Sequence, residues 1–100
     1  MKMVMYTIFD TASAAYMRPL VFQTDKQALR VFKDIALDKN QDVGKHPEDY
    51  SLWRIGQFDD NKGELLPEGK ECLATALELV AVAENVAADN GKDISFGGTA

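Results

Sequence analysis

The stretch TDKQALRVFKDIAL, residues 24–37, decides how this chain begins to fold, because it carries the local signals of one amphipathic helix. Thr24 suits the N-cap, Gln27 completes a capping box, and Asp25 lies favourably against the helix dipole. The apolar residues recur at helical spacing and form one stripe, made of Ala28, Leu29, Phe32, Ile35 and Ala36. The sequence therefore predicts a helix from Asp25 to Leu37 that buries this stripe.

Two apolar segments precede this helix. Residues 3–9 are rich in β-branched and aromatic residues, which is typical of a strand. Apolar side chains fall on both faces of this predicted strand. Residues 15–23 predict a second strand, with Pro19 at a bulge or on an edge because proline cannot donate a ladder hydrogen bond. The polar connection at residues 10–14 is short, so we expect an antiparallel hairpin.

The segments after the helix predict a second hairpin and a second helix. Residues 39–44 are polar and predict a loop, and residues 51–58 predict a strand. The run DDNKG, residues 59–63, is a turn signal that leads into a short return strand at residues 64–66. Residues 70–88 are rich in Ala, Leu and Glu and favour a helix, although Val80–Val82 could instead extend a strand.

These elements together predict a small single α+β domain, in which antiparallel β-hairpins pack on one main α-helix and a C-terminal helical segment follows. A chain of 100 residues has room for one modest core. We place the domain at residues 1–89 and a flexible C-terminal tail at residues 90–100, where small and polar residues leave little to bury. The helix is expected to pack Leu29, Phe32 and Ile35 on one sheet face, with the core partners Ile8, Phe22, Trp53 and Ile55.

The net charge of −5 weighs against electrostatic binding of nucleic acid, but the charge is unevenly distributed. Residues 1–45 contain seven basic and five acidic residues, for a balance of +2, whereas residues 46–100 contain four basic and eleven acidic residues, for −7. A solvated acidic tail on a neutral domain would explain this pattern.

The residues that usually carry catalysis do not form a recognisable pattern. His46 is the sole histidine and Cys72 the sole cysteine, which is too few for a zinc site. His46 beside Pro47 favours an ordered loop, and Cys72 favours a small core residue. The turn at residues 59–63 lacks the ligands and the distal glutamate of a calcium loop. We therefore expect a protein that is not an enzyme, with no catalytic residues, no metal and no cofactor.

Basic and aromatic residues are better candidates for a function. Lys26, Arg30 and Lys33 share one helix face, since they lie at i, i+4 and i+7. The second group lies on predicted strands, where basic and aromatic residues are neighbours in sequence: Tyr16, Arg18, Trp53 and Arg54. Rings that stack on bases and cations that contact phosphates are what single-stranded nucleic acid requires. A solvated helix face and a core role for Trp53 are the structural alternatives.

The chain resembles the small non-structural protein of gokushoviruses and related microviruses, which are phages with single-stranded DNA genomes. The resemblance extends over roughly residues 4–80, and its most specific part is KHPEDYSLW, residues 45–53. The other matching segments are residues 6–10, Ala15-Tyr16 running to Pro19 and Phe22, residues 28–32, Ile55-Gly56 and residues 58–60.

The resemblance implies a protein made in the infected cell and absent from the capsid. It implies DNA binding in genome replication or in the switch to packaging of single-stranded genomes, with no catalytic residues to carry over. A protein-interaction factor that docks on replication or procapsid machinery without contacting DNA is the alternative, since the net charge is acidic. We expect single-stranded DNA as partner, a homodimer or higher homo-oligomer, possible contacts with phage or host replication proteins, no membrane, and the host cytoplasm as location.

Overall fold

The helix predicted from residues 24–37 forms with the predicted bounds. The computed structural model of the protein describes residues 2–95, with side chains described over residues 2–85. Helix α1 runs from Asp25 to Leu37, and the Thr24 hydroxyl oxygen accepts a hydrogen bond from the Gln27 backbone N–H at 3.2 Å. The Gln27 side chain accepts from the backbone N–H of Gln23 at 3.0 Å, one residue before the position that a capping box would use.

The strands form one antiparallel sheet, and the predicted α+β class is confirmed. The strands are β1 (Lys2–Asp10), β2 (Ala15–Tyr16), β3 (Leu20–Phe22), β4 (Tyr50–Asp59) and β5 (Glu64–Thr75). The remaining helices are α2 (Asp42–Lys45) and α3 (Ala76–Ser95), with a 3₁₀ turn at Pro47–Asp49. The spatial order is β2-β1-β4-β5, and β3 also pairs with β1. Both predicted hairpins are therefore present, and β1 and β4 lie side by side at the centre.

The two sides of the sheet have different surroundings. Tyr6 and Ile8 of β1 and Leu52 of β4 face α1 and are buried with its apolar stripe. Successive side chains of a strand point to opposite sides, so Met5, Thr7 and Phe9 of β1 lie on the other side of the sheet. We call this other side the open face, because no helix within residues 2–95 packs its apolar stripe there.

The predicted core partners divide between these two sides. Ile8 is buried and Phe22 packs against the core, as predicted. The prediction that Trp53 and Ile55 are core partners was wrong, since neither belongs to the cluster around α1. Trp53 follows the buried Leu52 directly, so it points to the open face, where the register pairs it with Thr7. Ile55 lies at the irregularity between Arg54 and Gly56 and also contacts the open face.

The predicted boundary between the last strand and the last helix was wrong. β5 continues from Glu64 to Thr75, whereas the sequence predicts a strand ending at residue 66 and a helix beginning at residue 70. Pairing with β4 holds this segment extended. A capping box starts α3: the Thr75 hydroxyl accepts from the Glu78 N–H at 3.2 Å, and the Glu78 carboxylate accepts from the Thr75 N–H at 2.7 Å.

Helix α3 includes Val80–Val82, so the alternative strand at these residues is wrong. The helix continues to Ser95, past the predicted domain end at residue 89, and the last part of the predicted tail, residues 96–100, lies outside the described residues. No helix within residues 2–95 combines the length and hydropathy needed to cross a membrane.

Two turns depend on glycine for different reasons. The turn at residues 59–63 forms as predicted, with Gly63 at a φ of +66° and its N–H donating to the Asp59 carbonyl oxygen at 2.8 Å. At residues 39–44 the predicted loop ends in the single helical turn α2. Gly44 is buried there, and a Cβ atom would lie 1.9 Å from the Asp38 carbonyl oxygen. The close approach of these two backbone segments therefore requires glycine.

Candidate nucleic-acid interface

Tyr16, one of the residues predicted to contact nucleic acid, lies at the edge of the open face and is 45% exposed. β2 places it opposite Phe9 of β1. The two ring centroids are 4.6 Å apart, with an angle of 44° between the ring planes. Such a tilted contact supports the tyrosine ring from one side, and the other side remains available to a ligand.

Trp53 lies on the same face, one strand further into the sheet. The register places it between Thr7 of β1 and Cys72 of β5. Its indole Nε1–H donates a hydrogen bond to the Ser51 hydroxyl at 2.8 Å, which fixes the orientation of the half-buried ring. The fold therefore brings Tyr16 and Trp53, which are distant in sequence, to one surface.

Lys70 of β5 joins these two rings and was not among the predicted residues. Its Nζ lies 4.8 Å from the Tyr16 ring centroid and 5.7 Å from the Trp53 ring centroid, within the range of cation–π attraction. Nζ also donates a hydrogen bond to the Tyr16 hydroxyl at 2.7 Å. We call Phe9, Tyr16, Trp53 and Lys70 the aromatic platform.

The sequence contained a signal that Lys70 belongs to the site, but the prediction of a helix from residue 70 conceals it. If the return strand is continued from residue 64 with period two, residues 70 and 72 fall on one side of it. Cys72 pairs with Trp53, so Lys70 faces the same side as that ring. Extending the strand would therefore have placed a cation beside the two predicted aromatic residues.

The open face continues from the platform into two shallow apolar depressions. One has a volume of about 340 Å³ and includes Thr7, Met17 and Lys70 in its lining. The other, of about 360 Å³, extends towards Pro67. Both are lined by Pro19 and Ile55, so they adjoin and make one apolar track beside the platform.

Arg54 lies on the opposite side of the sheet, although it is next to Trp53 in sequence. Its guanidinium pairs with Asp25 at the start of α1 and with Glu71 of β5, the latter at 2.6 Å. The Tyr6 hydroxyl donates to the same Asp25 carboxylate at 2.6 Å. Burial first, and then this hydrogen bond, raise the pKa of Tyr6 well above its ordinary value. This network ties α1 to three strands and leaves Arg54 engaged by protein carboxylates.

The other predicted basic residues lie apart from the platform. Lys26, Arg30 and Lys33 are exposed along the outer side of α1, away from the buried Ala28 and Phe32. Arg18 is exposed in the link between β2 and β3, where it lines a third depression of about 580 Å³ next to Tyr16. The structure thus brings together Tyr16 and Trp53, places Arg18 at the edge, and separates the helix cations from all of them.

Comparison with known proteins gives the chain a family. The family described as "Phage ORF5 protein" matches residues 3–79. The chain belongs to the phage ORF5 protein family. It is 31% identical over 71 residues to Protein ORF5 of Chlamydia phage 1, a microvirus, and the match covers 67% of this chain and 74% of that protein. The resemblance to a microvirus protein is therefore confirmed, while no solved structure matches the chain.

The residues matched to the phage ORF5 family include the sheet except for Lys2, all of α1 and all four members of the aromatic platform. They also include the distinctive segment at residues 45–53. Within that segment His46, Glu48 and Asp49 offer ligand atoms that all lie within 4.8 Å of one another, and His46 Nδ1 lies 3.8 Å from the Glu48 carboxylate. His46 and Glu48 are exposed, and this arrangement is explained by an ordered turn before β4.

Cys72 is a free thiol on β5, beside Trp53. Desolvation, as the largest cause, raises the pKa of this thiol above its ordinary value, so it remains protonated at neutral pH. A nucleophilic cysteine needs the opposite shift. The thiol therefore adds a small apolar side chain to the open face.

Proposed function

We propose that this phage protein is a non-enzymatic factor that binds single-stranded DNA with little sequence preference, through the aromatic platform. It acts in genome replication or in the switch to packaging of single-stranded genomes. The observation that carries this proposal is the convergence of Tyr16, Trp53 and Lys70 on one exposed face. Aromatic rings stack on any base, and a cation between them contacts a phosphate.

Lys70 places a positive charge at the edge of the platform. In the free protein its Nζ donates to the Tyr16 hydroxyl at 2.7 Å and lies 4.8 Å from the ring centroid, so it lies beside the hydroxyl edge of the ring and not above its face. A base can therefore stack on Tyr16 while the lysine stays next to it. Because Lys70 is exposed and attached by a flexible stem, it can turn its charge to the neighbouring phosphate. The cation thus adds to affinity in the complex.

The acidic net charge fits a platform of this kind. Stacking carries the affinity where few cations are available, so binding should depend only weakly on salt. With one phosphate neutralised by Lys70, the logarithm of the binding constant should fall with the logarithm of salt concentration with a slope near −0.7. Double-stranded DNA keeps its bases stacked inside the helix, and we expect it to bind less tightly.

The direct test is fluorescence anisotropy with labelled 20-residue oligothymidylate and a labelled duplex, each at 50 and 200 mM salt. Tyr16→Ala should weaken binding of the single strand by about 5- to 150-fold, which corresponds to about 1–3 kcal/mol per stacked base. Tyr16→Phe keeps the ring and should bind nearly as tightly. Leu77→Ala is the matched control, since Leu77 is 51% exposed on α3, away from the open face.

The competing function is a protein-interaction factor that docks on replication or procapsid machinery without contacting DNA. The apolar track lined by Pro19 and Ile55, on an acidic protein, is the observation in its favour. Failure of the folded protein to bind either DNA at low salt would reject the proposed function and support this alternative. Tight binding of the duplex alone would reject the stacking mechanism.

Self-association stays a prediction of the proposal. Large apolar side chains remain exposed on more than one element, among them Val21 on β3, Leu65 on β5 and Val82 on α3. Burial of part of this surface against a second copy in a symmetric dimer would stabilise the domain. Sedimentation at micromolar concentration should show a dimer, and a single species of about 11 kDa would contradict it.

A further inference from the structure

The outer side of α1 carries three cations in a row. Lys26, Arg30 and Lys33 are exposed, and none of them forms a hydrogen bond or an ion pair with the described residues. They extend over about 10 Å of helix axis, which corresponds to about three phosphates along one strand of B-DNA. Asp34 is the exposed carboxylate on this flank, so the row, which we call the helix strip, remains net positive.

The helix strip and the aromatic platform lie on opposite sides of the molecule. The inner side of α1 is buried against Tyr6 and Leu52, so its outer side is turned away from the sheet. The platform lies on the open face, beyond the sheet. The width of a helix and the packing distance of layers in proteins put about 15–20 Å between the two surfaces.

Neither Arg54 nor Arg18 connects these two surfaces. Arg54 lies between α1 and the sheet, where Asp25 and Glu71 engage its guanidinium. Arg18 is exposed next to Tyr16 and lines a depression with Ile35, which lies on the inner side of α1, opposite the helix strip. Within the described residues, a short strand that stacks on the platform therefore has no continuous basic path to the helix strip. Each surface must be occupied by its own segment of nucleic acid.

From this arrangement we propose that one molecule of the protein holds two segments of single-stranded DNA at once, one on the platform and one on the helix strip. The inference rests on the proposed function, which supplies the first segment. The strip lacks aromatic rings and contacts phosphates alone, so the second segment is held more weakly and without sequence preference. The consequence is a bridging activity that joins distant parts of a genome or two strands.

The test measures bridging separately from binding. A biotinylated 20-residue oligothymidylate is immobilised, the full-length protein is added, and capture of a second, fluorescent oligothymidylate is measured at 50 mM salt. Neutralising the strip by the triple change Lys26→Gln, Arg30→Gln and Lys33→Gln should lower capture at least tenfold. Anisotropy with a single oligonucleotide should change by no more than about threefold, because the platform is intact.

A matched control removes the same charge elsewhere. The triple change Lys39→Gln, Lys45→Gln and Lys62→Gln also lowers the net charge by three at exposed positions, and it should leave capture within about twofold of wild type. For contact with three phosphates, raising salt from 50 to 200 mM should lower capture by about 20-fold, a steeper loss than for single-oligonucleotide binding.

The outcomes separate the inference from the function on which it rests. If a single oligonucleotide binds but no second one is captured, bridging is refuted and the proposed function stands. If the strip variant captures as well as wild type, the two segments are held by two platforms of a dimer, and the helix strip has no part in it. If no oligonucleotide binds at all, both proposals fail.

Discussion

The network around Asp25 allows a sharp test of how α1 is fixed to the sheet. The Asp25 carboxylate accepts hydrogen bonds from the Tyr6 hydroxyl at 2.6 Å and from Arg54. Tyr6 is fully buried, whereas the Asp25 and Arg54 side chains are 39% and 28% exposed. The change Asp25→Ala therefore leaves one buried hydroxyl without an acceptor and one half-buried cation with Glu71 alone.

The expected cost follows from these exposures. An unsatisfied buried hydroxyl costs about 1–3 kcal/mol. Loss of the ion pair adds about 1 kcal/mol or less, because the Asp25 side chain is more than a third exposed and water screens the pair. We therefore expect Asp25→Ala to lower the free energy of unfolding by about 2–4 kcal/mol. Tyr6→Phe removes the same hydrogen bond without leaving an unsatisfied donor, so it should cost about 1 kcal/mol.

A double-mutant cycle decides whether the contact is responsible. Once Tyr6→Phe has removed the hydroxyl, Asp25→Ala should cost less by about 1–2 kcal/mol. Urea unfolding followed by circular dichroism measures all four proteins, provided that the slope m is unchanged. Asp34→Ala is the control on the same helix, since this exposed carboxylate has no partner within the described residues, and it should stay within about 0.5 kcal/mol. Additive costs of the two changes would refute the coupling.

Three further predictions concern packing, binding and pH. Gly44→Ala should destabilise the protein by about 2 kcal/mol or more in urea unfolding, because its Cβ would lie 1.9 Å from the Asp38 carbonyl oxygen. Trp53 is the only tryptophan, so oligothymidylate should change its fluorescence, and an unchanged spectrum at saturation would contradict stacking there. Because the pKa of Tyr6 is raised on folding, the unfolded chain loses its phenol proton first, and stability should fall above pH 10; Tyr6→Phe should flatten that fall.

Local signals predicted some elements with accurate bounds. The N-cap at Thr24 and the apolar stripe lie within one short stretch, so α1 needs no distant partner to be recognised, and its observed bounds are the predicted ones. The turn that ends at Gly63 is equally local. Residues 70–75 are different: their composition favours a helix, and pairing with β4 overrides that preference. The capping box at Thr75 and Glu78 was the local sign of the true boundary.

The candidate site was predictable in part for the same physical reason. Tyr16 and Trp53 followed from residue type, and the fold puts both on one face. Arg54 could have been assigned to the other side, since neighbours in a strand point in opposite directions. To predict Lys70 as a site residue, one must know the length of β5, and that length is determined by long-range pairing with β4. The residues of a site that spans several strands can therefore be predicted from the sequence only where the pairing register of those strands can be predicted.

The acidic balance of the chain and the proposed binding of DNA are compatible because charge and stacking occupy different places. Two carboxylates, Asp25 and Glu71, are engaged by Arg54 on the helix side of the sheet. On the open face Lys70 lies between aromatic rings. A protein with a negative net charge repels DNA at long range, and this repulsion disfavours non-specific electrostatic binding to DNA. Stacking acts only on contact and only on bases that are exposed. Together these two terms favour single strands over duplex without reading a sequence, which is the selectivity that a factor acting on single-stranded genomes requires.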